Sequence, residues 1–217
     1  MPSSHGEGAP AATPAPGGAA ATSGTPASAA DFRIRLLGAP DLAAYKMLRD
    51  LMLAAHPEAY TSDAETELRR PPETYLARIA GSADGGWPFT LAAWRGEWLC
   101  GAVSCETDDR VKVRHVAKIV GMMVHPEARG RGIGRALLAA CIDLARRRRD
   151  TELLTLSVTS GSVLPIGLYE SAGFVRYGRL ERAIRVGSRY HDKDLMALRL
   201  DPADRPECQA CKTSPPR

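Results

Sequence analysis

Residues 1 to 30 contain no leucine, isoleucine, valine or aromatic residue, and Glu7 is their single formally charged side chain. A segment of Ala, Pro, Gly, Ser and Thr buries too little apolar surface to offset its chain entropy, so disorder is expected for 1–30. The same segment lacks the basic start and apolar centre of a secretory signal and the arginines of a transit peptide. No address is readable, which leaves the cytoplasm as the default. Nowhere does the chain approach the roughly 20 consecutive apolar residues that span a bilayer, so no membrane partner is expected. Charge of one sign is scarce as well: Lys+Arg 29 against Asp+Glu 25 leaves +4, too little by itself to argue for nucleic acid.

Cysteine is sparse and not arranged for metal. Cys100, Cys105 and Cys141 fall in apolar or periodic stretches and read as small core residues. Cys208 and Cys211 have C-x-x-C spacing in a polar tail, but the further ligands of a zinc site and the strand-to-helix context of a redox site are missing. No metal is therefore expected.

What is present begins at residue 31. Phe32, Ile34 and Leu36 alternate with Arg33 and Arg35, the pattern of a half-buried strand. After Pro40-Asp41, apolar residues Leu42, Tyr45, Leu48, Leu51 and Met52 recur at helical spacing until His56-Pro57. A second helix is predicted from Pro71-Pro72 to Gly81. The linker "HPEAYTSDAETELRR" between them is long and polar, a profile common in substrate-facing loops. Strands are predicted over 87–94 and 97–105 around Arg95-Gly96, and a third over about 111–124. A helix with the stripe Ile133, Leu137, Ala140, Cys141 and Leu144 follows, then a strand over 152–158, a short helix over 165–171, and two strands flanking Val186-Gly187-Ser188. The order β-α-α-β-β-β-α-β-α-β-β implies an α/β (α+β) fold: a mixed sheet with helices packed on it and a central right-handed β-α-β crossover. The foldable domain spans 31–200, and 201–217 reads as a flexible tail.

That crossover carries "MMVHPEARGRGIGR". A helix N-terminus has four amides without intrahelical partners and the positive end of a dipole, so a glycine loop entering it can wrap phosphate oxygens. Gly130, Gly132 and Gly134 permit close approach, Arg129, Arg131 and Arg135 supply neutralising charge, and Ile133 lies between the last two glycines of the same candidate site. No Gly-Lys-Ser/Thr follows, which excludes a P-loop, and the third glycine comes too early for a dinucleotide fingerprint.

The loop resembles the acyl-CoA pyrophosphate loop of the GNAT superfamily of N-acetyltransferases, R/Q-x-x-G-x-G/A, matched by Arg129, Gly132 and Gly134. "MMVHPEA" is similar to the strand and proline turn before that loop, and "SVLPIGLYESAGF" to the family's later N-x-x-A-x-x-L-Y-x-x-x-G-F element. The resemblance covers about 32–200 and implies a mostly antiparallel GNAT sheet with helices on both faces. It implies acetyl-CoA as cosubstrate, Met122, Met123 and Val124 along the pantetheine by their backbone, and Tyr169 as the acid for the departing thiolate. Ser162 stands for the family's Asn and Pro165 for its Ala; Ser162 retains a capping or ligand-bonding hydroxyl. Where some members place a glutamate base on the fourth strand, this chain has Lys118. Glu106, His115 and His191 are the remaining candidates for the base, directly or through water.

Bland roles stand beside these. Tyr169 can be core packing, Met122 and Met123 are packing side chains, His115 is a strand histidine, and Arg146 to Arg149 read as a solvated helix end. Glu58, Asp63, Glu65 and Glu67 either attract a cationic amine or form a solvated loop. The expected activity is acetyl transfer to a primary amine of a small molecule, with a protein N-terminus or lysine as the alternative acceptor. A CoA-binding module without catalysis and a basic nucleic-acid-binding module are the readings of other classes, the latter lacking aromatics among its basic runs. A homodimer is left open.

Overall fold

The computed structural model describes residues 31–81, 86–148 and 150–201. The expected disorder of 1–30 and the pair Cys208/Cys211 lie outside the described residues.

Chain order is β1 (Arg33–Leu36), α1 (Leu42–Ala55), α2 (Ala64–Leu68), β2 (Phe89–Arg95), β3 (Trp98–Thr107), β4 (Val116–Val124), α3 (Ile133–Arg146), β5 (Leu153–Thr159), α4 (Val163–Ser171), β6 (Val175–Val186) and β7 (Arg189–Arg199). The strands form one seven-stranded sheet in the order β1-β2-β3-β4-β5-β7-β6. Every neighbouring pair is antiparallel except β4 and β5, which are joined by the crossover through α3. The expected architecture is thus the observed one.

Strand alternation sends each face of the sheet to a different helix. On β2 and β3, Leu91, Ala93, Cys100 and Cys105 share a core with Ile133, Leu137 and Cys141 of α3. Their alternates Ala92, Trp94, Leu99 and Ala102 share another with Leu42, Tyr45, Leu48 and Met52 of α1. The α3 helix sits so close to β3 that a Cβ on Gly101 would lie 3.0 Å from Leu137 Cδ1 and 3.1 Å from both Ile133 Cγ2 and the Met123 carbonyl. Cys100, Cys105 and Cys141 are buried free thiols, as their context predicts.

Local chemistry sets the element ends. Asp41 precedes α1, accepts from the Gly38 amide at 2.9 Å and is gripped by Arg35 through two bonds of 2.6 and 2.8 Å. This pairing holds the Asp41 carboxyl below its usual range, the Arg35 bond being the largest cause.

Four expectations are corrected. The segment expected as a helix over 71–81 is a 3-10 run over Pro72–Arg78, with Thr74 N to Pro71 O at 3.1 Å and Ile79 N to Leu76 O at 3.1 Å. Its prolines lack amide donors, and Gly81 N is already taken by Pro88 O at 2.9 Å, so the α pattern has no room to propagate. The long linker contains α2, capped by Asp63 Oδ1 accepting from Thr66 N at 2.8 Å. The third strand starts at Val116 rather than 111, because Asp108 accepts from the Arg110 amide at 2.9 Å and turns the chain before it. Finally, Arg148 is not a solvated end: its guanidinium lies over Trp87 and Phe89 at 4.3 and 4.6 Å, where burial lowers its pKa.

Candidate active site

The parallel pair that the crossover creates is short. Val116, Ala117 and Lys118 pair with Leu153, Leu154 and Thr155, and there the ladder between β4 and β5 stops. β5 instead stays bonded to β7 as far as Thr159, opposite Lys193, while β4 continues to Val124 beside β3. The two strands therefore part, and the gap between them opens into a cavity of about 710 Å³. Its walls include Val120, Gly121, Met122 and Val124 from β4 and Leu156 to Thr159 from β5. Backbone groups of a sheet interior are normally paired, so a strand left without a neighbour on one side presents its amides and carbonyls to a ligand.

β4 is distorted at this point. The β3–β4 register shifts between Ala102/Met123 and Ser104/Val120, and Gly121 takes φ +59, a left-handed value that glycine accommodates readily. The carbonyl of Met122 accepts from Tyr60 Oη at 3.2 Å. Met122 and Val124 line the cavity, whereas the Met123 side chain is buried in the core toward α1. Met123 itself is not among the lining residues.

Beyond β4, a single 3-10 turn at Pro126–Ala128 leads to Arg129, and Gly130 and Gly132 follow with φ +75 and +79. A Cβ at either glycine would meet nothing within 4 Å, so they are required for their backbone conformation and open toward solvent. Gly132 stands at the N-cap of α3 with no side-chain cap, and the first helical bond runs from Ala136 N to Gly132 O at 3.0 Å. The amides of Ile133, Gly134 and Arg135 consequently precede the helical ladder. Arg129, Gly130, Gly132, Ile133 and Gly134 line the cavity. Arg131 and Arg135 are exposed and not among its lining residues, so of the three loop arginines it is Arg129 that stands on the cavity wall, its Nη2 2.8 Å from His56 Nε2. A cradle of open glycine space, uncapped amides and one guanidinium suits a pyrophosphate.

From the other side, α4 places Ser162, Leu168 and Tyr169 on the cavity wall. Ser162 occupies the N-cap of α4 and makes no side-chain capping bond, so of its two expected roles capping is not the one adopted. The Tyr169 ring is 7% exposed and meets Phe174 edge-on at 6.0 Å. Packing and access to the site thus coexist in one side chain. Burial drives the Tyr169 phenol well above its usual range, with Tyr60 adding to the shift, so it stays protonated.

Of the three candidate bases, Glu106 lines the cavity, opposite Lys118 in the β3–β4 register. His115 and His191 do not line it: His115 precedes β4, where its carbonyl accepts from Glu152 N at 2.9 Å, and His191 faces Ile184 in the β6–β7 ladder.

The polar linker does face the cavity, through His56 and residues 58–62. It is strapped there by Thr159 Oγ1 donating to Glu58 O at 2.8 Å and by the Tyr60 bond to β4. Glu67, by contrast, is buried, bonded to Tyr75 Oη at 2.6 Å and to Arg49 at 3.3 Å. Burial raises its pKa, but Tyr75 and Arg49 outweigh this and hold it below the usual range. Glu67 is therefore part of a buried network, and Asp63 is a helix cap. Sequence reasoning missed Tyr60, Arg78 and Lys193, which also line the cavity. Long-range bonds bring Tyr60 and Lys193 there, and no local spacing announces them. Burial lowers the Lys193 pKa, with Lys118 contributing.

The sheet split, the glycine-rich helix start and the tyrosine-bearing helix thus border one continuous cavity. The chain belongs to the acetyltransferase (GNAT) family, whose model matches residues 45–174. It is similar to phosphinothricin N-acetyltransferase of Alcaligenes faecalis, 29% identical over 145 residues, covering 66% of this chain and 73% of that protein. It is also similar to the L-methionine sulfoximine/L-methionine sulfone acetyltransferase of Pseudomonas aeruginosa, 33% identical over 79 residues, covering 36% of this chain and 45% of that one. Among solved structures, a Salmonella typhimurium acetyltransferase with its cofactor acetyl-CoA shares the fold, with TM-score 0.68, 23% identity, and coverage of 83% of this chain and 99% of that one. The protein is an acetyltransferase, and no described helix is long and apolar enough to cross a membrane.

Proposed function

We propose that this enzyme moves the acetyl group of acetyl-CoA onto the primary amine of a small molecule. The observation that carries the reading is the β4–β5 gap, which joins the uncapped amides of α3 at one end to Tyr169 and the β4 backbone at the other. Uncapped amides and Arg129 hold the pyrophosphate, and the free edge of β4 offers its backbone to the thioester arm. The amine nitrogen forms its bond to the acetyl carbon as the carbon–sulfur bond breaks. Tyr169, kept protonated by burial, delivers a proton to the leaving thiolate and recovers one from solvent. The amine surrenders its own proton to Glu106, directly or through water; Glu106 lines the same cavity.

The strap over residues 56–62, which lines the cavity and is bonded to both β4 and β5, favours a small acceptor over a peptide. Relatives named for phosphinothricin and methionine sulfoximine support the same choice. Free-thiol release from acetyl-CoA, followed over a panel of small amines and peptides, tests it. Turnover with peptides alone would overturn the small-molecule reading, and no turnover with any amine would leave a CoA-binding module.

A further inference from the structure

Lys193 is a primary amine held on the cavity wall, and among the described residues no carboxylate pairs with it. The residue is 8% exposed. Its Nζ donates to the Ala59 carbonyl at 3.4 Å, a long bond for a charged donor. Carboxylates beside it in sequence and on the cavity wall are engaged elsewhere. Asp194 receives Arg179, Ser160 and Arg176 at 2.8, 2.9 and 3.4 Å. Asp192 accepts from the Arg182 amide at 2.8 Å, Glu58 faces His56 at 3.5 Å, and Glu106 stands opposite Lys118 in the β3–β4 register. The charged neighbour that bears on Lys193 is Lys118, which has the same sign.

Burying an ammonium without a counter-ion is costly, and the cost disappears when the amine gives up its proton. Burial and Lys118 both push Lys193 in that direction. A neutral lysine amine is a nucleophile, and its place in the sheet sets what it can attack. Lys193 pairs with Thr159, the last residue of β5, where that strand has already parted from β4. Its Nζ reaches Ala59 of the strap, and the next strap residue, Tyr60, bonds the Met122 carbonyl of β4 at 3.2 Å. Lys193, the strap and Met122 thereby form one bridge over the gap, at the part of β4 placed along the thioester arm. Confining amine and thioester together replaces a bimolecular encounter with an effectively unimolecular one. Lys118 differs: it is exposed, and it lies where β4 is still paired with β5 through Thr155.

We propose that Lys193 is a self-acetylation site: with acetyl-CoA bound and no acceptor present, the Lys193 amine takes the acetyl group itself. This rests on the acetyl-CoA reading of the cavity, to which it adds a second acceptor within the chain. The Nζ lone pair forms a bond to the acetyl carbon, the carbon–sulfur bond breaks, and its electron pair leaves on the CoA sulfur. Tyr169 gives that thiolate a proton, while the proton shed by the new amide nitrogen goes to solvent, which restores Tyr169. The products are acetyl-lysine and the CoA thiol. An amide carries no charge, so the buried position then needs no counter-ion. A free acceptor competes for the same acetyl group, which confines the modification to conditions poor in acceptor.

The test incubates the full chain with isotopically labelled acetyl-CoA and no acceptor, and locates the label by peptide mass spectrometry. The isotope separates new acetyl groups from any acquired during expression, and exposed Lys112 of the same chain reports uncatalysed reaction with the thioester. Lys193 should take up label at least roughly 10-fold faster than Lys112, at a rate per molecule independent of protein concentration. Excess CoA, which competes for the cavity, should suppress labelling of Lys193 and leave Lys112 unaffected. Lys193→Arg should lose the fast label, with acetyl-CoA affinity retained as the sign of an intact fold. Labelling of Lys193 no faster than Lys112, or fast labelling that persists in excess CoA, would overturn the proposal. Turnover of small amines while Lys193 stays unlabelled would overturn it and leave the acetyltransferase reading standing. Fast labelling of Lys193 without turnover of any free amine would instead sustain it and defeat the small-molecule reading.

Discussion

Replacing Tyr169 by Phe removes one oxygen from a ring that is 7% exposed and packed edge-on against Phe174 at 6.0 Å. The ring and its contacts remain, so stability should change little, within about 1 kcal/mol. The chemical effect is worked from the site. Burial keeps this phenol protonated through any ordinary assay pH, so every molecule of enzyme carries the donor when the thiolate leaves. Removing one positioned acid costs roughly 10² in rate, about 2.7 kcal/mol at 1.36 kcal/mol per tenfold. The assay is thiol release under saturating acetyl-CoA, with acetyl-CoA affinity measured separately by calorimetry. A fall of roughly 10² in kcat with unchanged affinity is the expected result. An unaltered kcat in a folded variant would refute the reasoning and reduce Tyr169 to packing. Weaker acetyl-CoA binding with kcat preserved would refute it differently, giving the hydroxyl a holding role and leaving the proton to water or the acceptor.

Gly132→Glu places a side chain and a negative charge at the uncapped start of α3, in a residue with φ +79, and should abolish acetyl-CoA binding; calorimetry on folded variant protein decides it. Gly101→Ala forces a methyl to 3.0–3.1 Å of Leu137, Ile133 and the Met123 carbonyl, and should cost about 1–3 kcal/mol in chemical denaturation; an unchanged midpoint would show that α3 yields freely. Stability should fall as pH rises from about 10, the unfolded tyrosine value, to about 12, the value to which burial pushes both Tyr60 and Tyr75. Over that window the unfolded chain gives up protons that the folded one retains, so the slope is negative; thermal melts that stay flat from pH 10 to 12 would contradict it, and Tyr60→Phe should reduce the slope.

Much of the architecture was readable because it follows from local pattern. The Phe32-Ile34-Leu36 alternation and the Ile133-Leu137-Cys141 stripe each report one buried face, and they form β1 and α3. The glycine loop was readable for the same reason: its positive φ values and its uncapped helix start are properties of a few consecutive residues. Local pattern failed where competing local bonds intervened. Pro71-Pro72 turned an expected helix into a 3-10 run, and the Asp108 turn delayed β4 until Val116.

Spacing along the chain determined that a glycine turn would open α3 and that a tyrosine would follow on α4. Tertiary structure alone decided what faces that turn. The parting of β4 from β5 after Lys118 and Thr155 depends on which strand each keeps as its other neighbour, and that is a property of the whole sheet. Contacts between residues 62 or more positions apart bring Tyr60 to Met122 and Glu58 to Thr159, separations that no periodicity encodes. Arg78 and Tyr45 likewise approach one point beside Gly121 only when a 3-10 turn, a helix and a bulged strand are packed against one another.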